Sequence, residues 1–156
     1  MIPVTSPREP AVTEARGSGP RRRARVTTMK ILYRVEVVGD DLAQLESDLA
    51  SSETIPEAAR EYAVELLQQV AAHADEIDGI LDAALTRWDP KRLAVIDRCV
   101  LRIGTAELLY EAEVPTRVVL DEAIEIAKQF GSKESGRFVN GVLDRVAREC
   151  RKEEMG

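Results

Sequence analysis

Between Thr116 and Arg148, in TRVVLDEAIEIAKQFGSKESGRFVNGVLDRVAR, apolar residues return every three to four positions. That period belongs to helices and excludes a strand. Val119, Ala123, Ile126, Ala127 and Phe130 fall on one stripe, with Val118, Leu120 and Ile124 on a second side. A helix apolar on more than one side is surrounded by neighbours. Gly131 is placed to end this helix in a left-handed conformation, with Lys128 in its last turn and Ser132 or Ser135 as cap of the next. The second helix turns Phe138, Val139, Val142, Leu143 and Val146 inward. Glycine inside a helix costs about 1 kcal/mol relative to alanine, so Gly141 is expected to admit a close neighbour.

The same period runs through the rest of the chain. After Arg21-Arg22-Arg23-Ala24-Arg25, the residues Val26, Met29, Leu32, Tyr33 and Val37 keep helical spacing up to Gly39. The arginines then occupy the first turn and the residues before it, where positive charge opposes the helix dipole. Such a cost suggests that they serve an outside anion, RNA or DNA, the alternative being a solubilising tail. Asp40 or Asp41 can cap a short helix with Leu42, Leu45 and Leu49 inward, and Thr54-Ile-Pro-Glu57 reads as a capping box. A helical run from Tyr62 to Trp88 breaks near His73, and Asp89-Pro90 opens the next unit. There Leu93, Ile96, Val100 and Ile103 form a stripe, Asp97, Arg98, Arg102 and Glu107 mark a polar side, and Thr116 after Val114-Pro115 can cap the following helix. No alternating run or flanked hairpin turn suggests a strand. The expected fold is all-α, a compact bundle of about six to seven helices without internal repeats.

A chain of 156 residues holds one domain with a proper core. Residues 1–20, rich in Pro, Gly, Ser and Thr, are expected to form a disordered extension, 21–150 a helical domain and 151–156 a flexible tail. The net charge of −6 alone argues against a nucleic-acid partner. The charge is uneven, however: Arg8, Arg16, Arg21, Arg22, Arg23, Arg25 and Lys30 face only Glu9 and Glu14 in the first thirty residues. A basic arm on an acidic body suits a polyanion and a basic protein. Cys99 and Cys150 share no metal-ligand spacing with the single histidine, His73, and read as reduced thiols of a cytoplasmic protein. No apolar run is long enough to span a bilayer. Phosphate-cradling glycine loops, paired histidines and nucleophile motifs are missing, so no enzyme activity, cofactor or metal is expected. If the arginine end lies close to Lys133, Arg137 and Phe138, the two make a basic surface with one exposed ring, suited to single-stranded RNA more than to duplex.

Several blocks together resemble the NusB family of transcription antitermination factors. They are Arg21 to Arg25 with Leu32-Tyr33, Val95 to Ile103 with Glu107-Leu108, Val114-Pro115, Asp121 to Gly131, and Arg137 to Asp144. The similarity covers roughly residues 21 to 148. It implies a NusB-like bundle that binds single-stranded boxA RNA of nascent ribosomal RNA leaders as a heterodimer with NusE, the small-subunit ribosomal protein, and joins other Nus factors on RNA polymerase. Carried onto this chain, Arg21, Arg22, Arg23 and Arg25 would meet RNA phosphates. Glu134, Ser135, Arg137 and Phe138 would line the RNA edge, with Glu134 standing where the family often has aspartate. Tyr33 and Asp97 match positions associated with NusE. The alternative is a NusB-like RNA-binding or adaptor module without antitermination activity, as in the domain fused to ribosomal-RNA cytosine methyltransferases. Composition leaves a homodimer of the free chain open.

Overall fold

The computed structural model describes residues 19–85 and 93–152. Within them the order is α1 (Gly19–Tyr33), a π-helical turn (Arg34–Val38), α2 (Leu42–Ala50), α3 (Glu57–Ala72), α4 (Ala74–Ala84), α5 (Val95–Tyr110), α6 (Thr116–Phe130) and α7 (Ser135–Cys150). All described elements are helical, as the period requires. The expected cap at Asp89-Pro90 lies outside the described residues.

The helix with the most buried residues takes the centre. α5 touches α1, α3, α4, α6 and α7, and Cys99, Val100, Leu101, Ile103, Ala106 and Leu108 are all buried along it. α6 and α7 pack as a pair against α5, while α1 packs across α3 and α5, and α2 covers α3. Gly104 is where α5 and α7 meet: a Cβ there would lie 2.6 Å from Leu143 Cδ1. A side chain at this crossing would force the Leu143 side chain to move, so glycine allows the present packing. The close approach expected at Gly141 is not observed, since a Cβ there meets nothing within 4 Å.

Val119, Ala123, Ile126 and Ala127 are buried as their spacing predicts, but Val118 is exposed and Leu120 and Ile124 are half-buried. The second apolar side of α6 is therefore only partly covered. Val37 and Val38 are exposed as well, because the wider π turn rotates them off the α1 stripe before Gly39 (φ 85°) ends the helix.

Most expected caps are replaced. Asp41 does cap α2, accepting from the Gln44 N–H at 3.2 Å. The Thr54–Glu57 box does not form: α3 starts at Glu57 behind Pro56, and Thr54 bonds to Ser52. Pro115, not Thr116, precedes α6, while Glu134 precedes α7 without a side-chain cap, so neither Ser132 nor Ser135 caps that helix. Gly131 is extended (φ −99°, ψ −158°) and not left-handed; its bare Cα leaves room for the Ser135 side chain and the Ala127 carbonyl.

The assignment of Arg151 to a flexible tail is also corrected. Its guanidinium donates to the carbonyls of Glu107, Leu108, Glu111 and Val114 and to the Thr116 hydroxyl, at 2.7 to 3.2 Å. One side chain thus bonds to two carbonyls of the last turn of α5 and to two in the turn that follows, and ties the end of α7 to the α5–α6 turn.

His73 is the break between α3 and α4 and stacks on Tyr110 at 4.0 Å, while the Tyr110 hydroxyl bonds to Glu76. Both cysteines are free.

Candidate nucleic-acid interface

α1 begins at Gly19, so its arginines lie within the helix and each faces its own direction. Arg25 is 2% exposed and points into the bundle. Its Nε donates to both Glu107 carboxylate oxygens at 2.9 and 3.0 Å, and its Nη2 lies 2.9 Å from Oε2. The Tyr62 hydroxyl donates to the same carboxylate at 2.5 Å. Burial opposes the Arg25 charge, but Glu107 more than offsets it and the guanidinium pKa is raised. Burial, followed by the Glu107 charge, pushes the Tyr62 phenol far above its usual range.

Arg22 forms a fork on Glu122 at 2.7 and 2.8 Å and is largely covered. Two of the four expected phosphate contacts are therefore structural ion pairs, because Glu107, which the sequence places on a polar side, and Glu122 are buried against them. Arg21 and Arg23 remain exposed: Arg21 lies over the Tyr62 ring at 4.3 Å and near Glu113, and Arg23 reaches the Thr54 carbonyl at 3.4 Å.

A second basic surface forms where α6 turns into α7. Ile124, Lys128, Lys133, Glu134, Arg137 and Asn140 border an open groove of about 510 Å³. The backbones approach closely here, since a Cβ on Gly136 would lie 2.8 Å from Lys128 Cγ. Lys128, Lys133 and Arg137 share the groove with only one carboxylate, Glu134, and the free N–H groups at the start of α7 add positive potential. Phe138 is half-buried at this end. Ser135, expected at the RNA edge, is buried. Its Oγ accepts from the Ser132 N–H at 2.9 Å and it hydrogen-bonds Asp97, so it shapes the turn from inside.

Asp97 is itself buried, and burial raises its carboxyl pKa while the Ser135 hydrogen bond acts the other way. Tyr33 is half-buried beside an apolar groove of about 290 Å³ that includes Lys30, Ile96 and Phe130. The expected pair Tyr33 and Asp97 thus consists of one accessible residue and one that acts from within the fold.

The arginine end and the Phe138 end do not adjoin. Arg22 meets Glu122 and Lys30 lies 5.4 Å above the Phe130 ring, so α1 and α6 run in the same direction. At about 1.5 Å per residue, the rise from Glu122 to Phe130 separates the two basic ends by roughly 12 Å. Lys30 and Lys128 lie at the Phe130 end with Lys133 and Arg137, a grouping that sequence did not disclose. Lys128 reads there only as a favourable charge in a last turn.

The carboxyls of the α5–α6 turn carry a pH dependence. Glu111 is buried, its Oε2 has no hydrogen-bond partner, and its pKa rises to about 8 through burial, then through the hydrogen bond and charge of Glu65 and through Glu113. A raised carboxyl binds more protons folded than unfolded between pH 4.5 and about 8, so stability falls as pH rises across that window. Glu111→Gln should flatten this decline in denaturant titrations, and an unchanged slope would remove Glu111 as its cause.

Among the described residues no group of three or more His, Cys, Asp or Glu could hold a metal ion, and no helix is long and apolar enough to cross a membrane.

Residues 22–148 match a family model described as the NusB family. The Transcription antitermination protein NusB of Syntrophotalea carbinolica is 37% identical over 149 residues, with 86% of this chain and 96% of the relative covered. Among solved structures, T. maritima NusB superposes with a TM-score of 0.77 at 41% identity, covering 86% of this chain and 96% of that one. A structure of antitermination factors NusB and NusE in complex with dsRNA gives 0.73 at 30% identity, covering 83% and 97%.

Proposed function

The chain belongs to the NusB family, and from that premise we propose that it is a transcription antitermination factor that binds boxA RNA of nascent ribosomal RNA leaders together with NusE. In this role it joins other Nus factors on RNA polymerase and suppresses termination. The observation that carries the RNA reading is the groove of Lys128, Lys133 and Arg137 at the start of α7, with Phe138 at the same end. Three cations above free helix N–H groups bind a phosphate backbone, and a half-buried ring offers one base a stacking face. Its open form suits an unpaired strand, whose bases can be splayed out.

Within this proposal Arg21, Arg23, Glu134, Arg137 and Phe138 stay in the RNA set, and Lys30, Lys128 and Lys133 join it. Arg22, Arg25 and Ser135 support the surface from beneath. Tyr33 faces NusE directly, and Asp97 holds the α7 turn that the RNA and the partner share. The related structure of NusB and NusE with dsRNA supports both partners as candidates.

The separation of the two basic ends supplies the test. Removing one cation from the phosphates of a single strand reduces the slope of log affinity against log salt by about 0.7. Arg137→Ala should do so, and Lys133→Ala with Arg137→Ala should remove about twice that. A slope indifferent to both substitutions would place the RNA elsewhere.

A further inference from the structure

At the end of α1 remote from Phe130, a second groove of about 510 Å³ opens between α1, α3 and the α5–α6 turn. Its chemistry is opposite to that of the RNA surface. Glu61, Glu65 and Glu113 line it and are exposed, and Tyr62 forms part of its wall. Behind them lies the buried Glu111 carboxyl, one of whose oxygens has no hydrogen-bond partner. Arg21 stacks on Tyr62 at 4.3 Å and approaches Glu113 at 3.8 Å, which shows how a guanidinium sits in this setting. No ion pair links Glu61, Glu65 or Glu111 to a cation among the described residues.

We propose that this groove docks a basic segment of a protein partner and takes its arginine or lysine among the carboxylates of Glu61, Glu65 and Glu113, next to Arg21. Glu61, Glu65 and Glu113 repel a nucleic acid from the interior of the groove, and the carboxylates do not converge as metal ligands. A side-chain cation fits both the charge and the shape: its head reaches the carboxylates while its stem lies along the exposed Val118 and Pro115. The groove lies at the end of α1 opposite the Lys128–Arg137 surface and shares only Arg21 with the residues assigned to RNA.

The test uses the full chain and the peptide acetyl-Gly-Arg-Gly-Arg-Gly-Arg-Gly-amide, with a glutamate-for-arginine peptide as control. The arginine peptide should shift the amide resonances of Tyr62, Glu65, Glu113 and Val118. Glu65→Gln with Glu113→Gln should weaken binding at least about tenfold, the scale of a lost hydrogen bond to a charged group. Glu61→Gln with Glu65→Gln provides a second variant that leaves Arg21 and Glu113 intact. Glu125→Gln with Glu149→Gln changes the net charge equally on distant exposed positions and should leave affinity unchanged. Equal weakening by the groove and distant variants, or shifts spread over the whole surface, would each overturn the proposal.

Discussion

Glu107→Ala should lower stability by about 3–5 kcal/mol, the loss found when one member of a buried ion pair is removed. The substitution strands Arg25, which is 2% exposed and has its Nε and Nη2 on that carboxylate, and takes away the acceptor of the Tyr62 hydroxyl. Glu122, the nearest other acid at 3.6 Å, is already held by Arg22. The complementary expectation separates structure from function. Arg25→Met combined with Glu107→Leu removes both charges and should recover most of the stability, since well-packed apolar replacements of buried pairs are often neutral or better. Because Arg25 faces inward, the double variant should also keep its RNA affinity and salt slope. Urea denaturation and RNA titration of both variants check the two halves. A loss below about 1 kcal/mol for Glu107→Ala would mean that the pair is solvated, because that is the scale of an exposed salt bridge.

Ile126→Ala should cost about 2–5 kcal/mol through the transfer and cavity terms of a buried aliphatic side chain. Ile126 is 3% exposed on the face of α6 that meets α5, beside Ile103 and Gly104. Because α6 and α7 pack as one pair against α5, a cavity at this position loosens the support of the Lys128–Arg137 groove as well. RNA binding by the variant should therefore fail at a lower temperature than that of the unaltered chain, in step with its melting. A loss of under about 1 kcal/mol, less than the smallest Ile→Ala costs, would show that α6 is peripheral.

The helical period of the sequence located the burying faces, because burial on a helix repeats every 3.6 residues whatever the neighbours. Val119, Ala123, Ile126, Val139, Val142, Leu143 and Val146 all lie inside. What stayed hidden depends on partners distant in the chain. A periodic reading counts every charge as surface, and Glu107 is buried only because Arg25, 82 positions earlier, neutralises it. Gly104 and Gly141 look alike locally, each a glycine inside a helix, yet only Gly104 has a side chain, Leu143, packed across it. The capping motifs at Thr54, Thr116 and Ser135 have suitable residues, but the chain enters each helix along a path that gives the side chain other work.

The candidate site was legible in its residue types and not in its arrangement. Arg137 and Phe138 lie in the first turn of α7, as the helical period of the sequence expects. The arginine block divides instead: Arg22 and Arg25 stabilise the bundle, while Arg21 and Arg23 stay exposed at the end remote from Phe130. The positive charge beside Phe130 comes from Lys30 and from the lysines of the α6–α7 hairpin, brought together by the parallel course of α1 and α6. In the proposed role the outer Arg21 and Arg23 would be a second anchor for a long strand, since charges this far apart still contribute to a salt-dependent affinity.

The most direct measurement is a titration of a fluorescent boxA-like single-stranded RNA and a scrambled control with the purified chain, with and without NusE, at two salt concentrations. An antitermination factor of this kind should bind the boxA-like strand more tightly than the control, more tightly still with NusE, and less tightly as salt rises. Equal, weak binding of both RNAs that ignores NusE would contradict that role, and the NusB fold would then serve here as a helical adaptor.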